Sequence, residues 1–156
     1  MSIDLSDLLS PDLVLAGLAV ANKKALFQQI ANVAAPALAV EAKHLARGLA
    51  VRERLGSTGF GGGVAIPHAR IDGLSRITAV VARLTRAIDF QAVDDVPVDI
   101  AVALFSPPDA GDAHLKALAR VSRRLRDRAF VAKLRGAGSR DALYALLNAD
   151  DARDAG

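Results

Sequence analysis

Eight residues, Gly56-Ser57-Thr58-Gly59-Phe60-Gly61-Gly62-Gly63, contain five glycines and restrict the fold more than any other stretch of this chain. Without a Cβ, glycine loses more conformational freedom on ordering than any other residue and contributes no side chain to a core. The run is therefore expected to be a loop, with unusual dihedrals or a close backbone approach, around which the other elements are arranged. Two helical patterns precede it. From Asn22 to about Leu38, Leu26, Ile30, Val33 and Ala37 recur at helical spacing, with Asn22 as N-cap. From about Glu41 to Leu55, Leu45, Leu49 and Leu55 mark a second helix that Gly56 stops. Strand patterns follow the run: Val64–Ile66, closed by Pro67, then the β-branched stretches Ile77–Thr85 and Val98–Phe105. Leu13–Leu15 and Ile88–Phe90 are shorter candidates, with a turn expected at Asp94-Asp95. Ser106-Pro107-Pro108 ends the last strand. Helices are then expected over about Asp112–Arg126, Ala129–Arg135 and Ser139–Asn148, with Asp112, Asp127 and Ser139 as caps and Gly136 as a stop.

Strands interleaved with helices imply an α/β fold. With 156 residues and no internal repeat, a single domain over 1–150 is expected, with 151–156 as a frayed polar tail. A chain of this size removes roughly 70% of its surface from water on folding, so it needs no covalent staple. There is no cysteine, which removes disulfides, thiolate nucleophiles and cysteine-based metal sites together. The first residues carry acids and no basic segment ahead of an apolar one, so no secretory leader is expected. Ala25 to Val40 is interrupted by Gln28, Gln29, Asn32 and Pro36 and is too broken to span a bilayer. These features predict a cytoplasmic protein without membrane insertion.

Lys116 to Arg140 holds nine basic residues against one acid, Asp127. Such a stretch suits either an acidic partner protein or phosphates, including those of nucleic acid. No nucleic-acid-binding motif accompanies it, so nucleic acid is not the expected partner. The histidines differ in context. His44 sits between Lys43 and Arg47 on a charged helix face. His68 follows the stiff Ile66-Pro67 step and the glycine run, whose N–H groups can face an anion; it is either a turn histidine or a nucleophile. With an ordinary pKa of about 6.5, a neutral imidazole is a competent base at cell pH. His114 stands in the first turn of its helix, on the edge of the Leu118, Val121 and Leu125 stripe. It is either a packed core histidine or a donor to an anion at the helix N-terminus. Arg52 is a phosphate clamp or part of a surface cluster with Glu53 and Arg54. Ser57 and Thr58 add hydroxyls to the same anion or cap the turn. No Gly-Lys-Ser/Thr follows the glycines, and no third ligand accompanies His68 and His114, so neither a nucleotide loop nor a metal is expected.

Two blocks, Arg52-Glu53-Arg54-Leu55-Gly56-Ser57-Thr58-Gly59-Phe60 and Gly63-Val64-Ala65-Ile66-Pro67-His68, resemble the signature of type-2 IIA components of the bacterial phosphotransferase system, the fructose/mannitol class. Asp112-Ala113-His114-Leu115-Lys116 and its Arg-rich helix extend the resemblance, which covers Ile3 to Asn148. The start, Ile3 to Pro11, and Ser122-Arg123-Arg124-Leu125 resemble the nitrogen-regulatory branch of that class. Gly62 stands where Asn is common, and Ala69 follows the histidine where Gly is frequent. The resemblance implies a single mixed central β-sheet flanked by helices on both faces. It implies that His68 accepts a phosphoryl group from a phosphorylated HPr-like carrier, supported by Arg52, by His114 and by a phosphate-binding loop of Ser57, Thr58, Gly59, Gly61 and Gly63, with no cofactor. Regulatory targets such as kinases or transporters are the expected readers of that state. Passing phosphate to a IIB domain during sugar import is the alternative, and nucleic-acid binding by the Arg-rich helix a third.

Overall fold

The structure is a computed structural model that describes Leu5 and residues 7–149. The expected tail at 151–156 and the opening residues Ile3, Asp4 and Ser6 lie outside the described residues.

Two long strands form the centre, β5 (Thr78–Ile88) and β6 (Val98–Ser106), paired antiparallel. Their side chains alternate between two apolar environments. Val80, Ala82 and Leu84 of β5 with Ala101, Ala103 and Phe105 of β6 face one core. Ala79 and Val81 with Ile100, Val102 and Leu104 face the other. A strand buried on both faces has no polar positions to spare, which is why these runs read as almost continuously apolar. The first core is closed by α1 (Lys23–Leu38) and α2 (Ala42–Arg54), through Leu26, Ile30, Leu45 and Leu49. The second is closed by α3 (Asp112–Arg126), α4 (Arg128–Gly136) and α5 (Arg140–Asn148), through Val121, Leu125, Leu134 and Leu147. The result is the expected mixed sheet with helices on both faces.

Strand order is β1-β5-β6-β3-β2, where β1 is Val14–Leu18, β2 Gly59–Gly61 and β3 Val64–Ala65. Strand β4 (His68–Arg70) also runs parallel to β6, one step beyond β3. Pro67 separates the two short strands. It has no N–H to give, but its carbonyl accepts from Leu104 N at 2.9 Å, so the chain stays against β6.

The helix caps follow local chemistry. Asn22, Asp127 and Ser139 each accept backbone N–H bonds at the helix starts. Asp112 does not cap α3: Gly111 occupies that position, and Asp112 lies in the first turn. The glycine run is not wholly a loop. Gly59–Gly61 pairs antiparallel with β3, because a hairpin ladder needs backbone groups only, while the φ of +69° at Gly62 makes the turn. That left-handed position is one that Gly and Asn adopt more readily than other residues. Ile88 is the last residue of β5, and Asp89-Phe90 are not a strand. Asp94 lies in the expected turn and accepts from Gly62 N and Val96 N. The basic helix is not uniformly solvated. Arg124 is 1% exposed, stacks on Phe130 and donates to Ala149 O, while Arg120 pairs with Asp7 at 2.6 Å. Among the described residues no helix is long and apolar enough to cross a membrane.

Candidate active site

His68 opens β4 and is half-buried. Its Nδ1 lies 2.8 Å from Ile66 O. A carbonyl only accepts, so Nδ1 holds the proton and Nε2 keeps its lone pair. Arg52 reports the same tautomer from the other side of the ring. Its Nε donates to His68 Nε2 at 3.2 Å, and its Nη1 donates to Gly56 O at 2.8 Å. The ring is thus held between a carbonyl and a guanidinium, with its basic nitrogen towards the cation. Burial, foremost, and the Arg52 charge push the His68 pKa below its ordinary value, while the Ile66 hydrogen bond and Glu53 act in the opposite direction. The neutral imidazole is the favoured form.

Helix α2 reaches His68 because Gly48 lets it. A Cβ at Gly48 would stand 3.1 Å from Ala69 Cβ and 2.8 Å from Ile71 Cδ1, so the helix rests directly on β4 and its neighbour. Arg52 is one turn further along the same face, beside His68.

His114, on the first turn of α3, is only 5% exposed. Its ring centroid is 5.7 Å from that of His68, and its Nδ1 is 2.6 Å from Ser106 Oγ. Burial, foremost, then the charges of Arg70 and His68 lower its pKa. Arg52, His68 and His114 line one cavity of about 650 Å³, together with Arg47 and Arg70. Val51, Leu55 and Leu115, three of the exposed large apolar side chains, border it as well. Three arginines against one lining acid, Asp72, make the cavity cationic, and with a neutral nucleophilic nitrogen and an apolar rim it suits an anionic group delivered by a macromolecule. Exposed His44 stands on the same rim.

The residues expected as a phosphate-binding loop are placed elsewhere. Thr58 is buried, and its hydroxyl and N–H both bind Glu53, whose carboxylate also pairs with Lys23 at 3.0 Å. Ser57 Oγ accepts from Gly59 N at 3.1 Å and donates to Phe90 O, a turn-capping role. Gly59 packs against Phe90 and Ala92, and Gly63 against Arg135. Gly61 borders a second cavity with Arg126, Arg128 and Arg135. None of the five lines the His68 cavity. Conversely, Ile66 O, Ser106 and Arg70 contribute to the site without having stood out in the sequence. Only the proximity of Ser106 to a strand-ending Pro-Pro step marked it at all.

Comparison with known proteins adds to this geometry. One protein family, described as "Phosphoenolpyruvate-dependent sugar phosphotransferase system, EIIA 2", matches residues 7–150. The nitrogen regulatory protein of Bradyrhizobium diazoefficiens is 41% identical over 143 residues, covering 92% of this chain and 94% of its own. That of Pseudomonas aeruginosa is 39% identical over 147 residues, covering 93% and 95%. Among solved structures, nitrogen regulatory protein IIA-Ntr from Neisseria meningitidis superposes with a TM-score of 0.87 at 28% identity, covering 92% of this chain and 98% of that one.

Proposed function

Since the chain belongs to the EIIA 2 family of the phosphoenolpyruvate-dependent sugar phosphotransferase system, we propose that it is a regulatory phosphoryl carrier that accepts its phosphoryl group on His68 Nε2. The single observation behind this reading is the pairing of Nε2 with Arg52: an unprotonated ring nitrogen with a guanidinium poised beside it. The donor is a phosphorylated HPr-like protein, and the reaction takes place in the cytoplasm.

The chemistry follows from the hydrogen bonds. The Nε2 lone pair attacks phosphorus in line, the new N–P bond forms, and the carrier's nitrogen leaves with the electron pair of the bond that breaks. His68 retains its Nδ1 proton, so the ring gains positive charge, which the Ile66 carbonyl and the phosphoryl dianion balance. As Nε2 becomes bonded to phosphorus, the Arg52 Nε–H loses its acceptor and turns to a phosphoryl oxygen. Arg52 thus guards the nitrogen against protonation before transfer and neutralises oxygen charge during it. His114, kept neutral, supplies a further N–H without becoming charged.

Relatives named nitrogen regulatory proteins match over more than nine tenths of their own length and of this chain, which supports signalling rather than sugar import. Regulatory targets then distinguish the two states of His68. The test is intact-mass measurement after incubation with phosphoenolpyruvate, enzyme I and the HPr-like carrier. One acid-labile phosphoryl adduct is expected on the wild type and none on His68→Ala, with circular dichroism unchanged. An adduct that persists on His68→Ala refutes the assignment.

A further inference from the structure

The two histidines of the cavity are backed by different groups, His68 by the Ile66 carbonyl and His114 by the Ser106 hydroxyl. Ser106 Oγ lies 2.6 Å from His114 Nδ1, and Ser106 is 0% exposed. Its backbone is pinned at the end of β6, where Ser106 O accepts from Ile71 N at 2.8 Å and the residue pairs with Arg70. A serine hydroxyl has one proton to give and can also accept. Among the described residues Ser106 Oγ has no other hydrogen-bond partner. Were it to accept from an Nδ1–H, its own proton would be left in the core without an acceptor, the costly arrangement for a buried donor. Donating to an Nδ1 lone pair satisfies both groups. His114 then carries its proton on Nε2, the ring nitrogen directed away from Ser106.

We propose that Ser106 is a positioning residue that holds His114 in the Nε2–H tautomer, so that His114 donates to the phosphoryl group and is barred from becoming a second acceptor. The inference rests on the carrier reading above. His114 has one lone pair, on Nδ1, and Ser106 occupies it; its Nε2 has none to attack with. His68 is the reverse, with Nδ1–H on Ile66 O and a lone pair on Nε2. A carbonyl behind one ring and a hydroxyl behind the other therefore assign the roles of nucleophile and donor. Backing groups that fix a histidine's tautomer have this effect wherever the second ring nitrogen does chemistry.

Nitrogen-15 NMR of the ring nitrogens, read at neutral pH on the unphosphorylated full chain, tests this without any carrier. The wild type is expected to show Nδ1–H for His68 and Nε2–H for His114. Ser106→Ala is expected to turn the His114 signals into a tautomer mixture while leaving those of His68 in place. It should also slow phosphoryl acceptance roughly tenfold, a modest share of what losing a fixed donor costs, and place part of the phosphate on His114. Ser106→Thr, which keeps the hydroxyl, is expected to restore both the His114 signals and the rate. An Nδ1–H tautomer at His114 in the wild type overturns the proposal, as does Ser106→Ala with ring signals and rate unchanged. If Ser106→Ala does not fold, the wild-type spectrum and Ser106→Thr decide. Expected tautomers in a wild type that takes up no phosphoryl group support the role of Ser106 and refute the carrier reading alone.

Discussion

Arg52 makes two hydrogen bonds that depend on the shape of a guanidinium. Nε reaches His68 Nε2 while Nη1 reaches Gly56 O, so the planar group is anchored to the backbone and aimed at the ring in one arrangement. A lysine has a single charged nitrogen and cannot reproduce it. Arg52→Ala is expected to slow phosphoryl acceptance by roughly 10²–10³-fold, the usual cost of removing one fixed donor from a developing anion. Arg52→Lys should remain closer to Arg52→Ala than to the wild type. Single-turnover kinetics at saturating carrier measure both, and wild-type rates in either variant would return Arg52 to a surface role. At this scale local sequence marked His68, His114 and Arg52 as candidates, each beside a structural alternative, because a proline-stopped strand, a helix start and a helix end are visible in sequence; the structure brings the three to one cavity. Of the two readings open for the hydroxyls of Ser57 and Thr58, turn capping holds for Ser57, while Thr58 meets the Glu53 carboxylate, because residue type does not say which acceptor a hydroxyl will reach.

The distance between α2 and β4 sets the Arg52–His68 contact. That distance is small because position 48 has no side chain and Ala69 has a small one. Gly48→Val would push branched methyl groups into Ala69 and Ile71 and force the helix outward. Overpacking of this kind costs about 1–3 kcal/mol, and it should slow phosphoryl acceptance as well, since Arg52 moves with the helix. Gly48→Ala should be milder, because the helix gains about 1 kcal/mol of propensity against the same crowding. Denaturant unfolding and acceptance kinetics, measured on the same variants, test the link. Lost stability with an unchanged rate in Gly48→Val would show that α2 does not position Arg52. The elements themselves were largely legible, since caps and apolar spacing act over a few residues. The β2 hairpin was not, because glycine strands are held by backbone ladders that side-chain propensity does not register.

On the scale of the whole molecule, folding carries His68 and His114 into surroundings that favour their neutral forms, and stability should depend on pH accordingly. In the unfolded chain both titrate near about 6.5. In the folded protein both pKa values are lower, chiefly through burial, with Arg52 adding at His68 and Arg70 at His114. Between the folded and unfolded values the unfolded chain binds more protons, so unfolding free energy rises with pH. The stability present at pH 7.5 should therefore fall as pH drops through about 6.5 towards the folded pKa values. Urea unfolding at pH 7.5 and 5.5 measures this fall, which should be smaller in a His68→Gln/His114→Gln double variant; equal falls would exclude the two rings as its source. By itself the sequence determined what is local or periodic: the capped helices, the β-branched central strands, and a histidine set rigidly behind Pro67. Only the tertiary structure decided what spans distance: Arg52 against His68, Ser106 behind His114, and Arg124 buried over Phe130. Those contacts depend on strand register and on how closely a helix can approach a sheet. Both are set by packing across the whole chain, and neither can be read from the spacing of the residues involved.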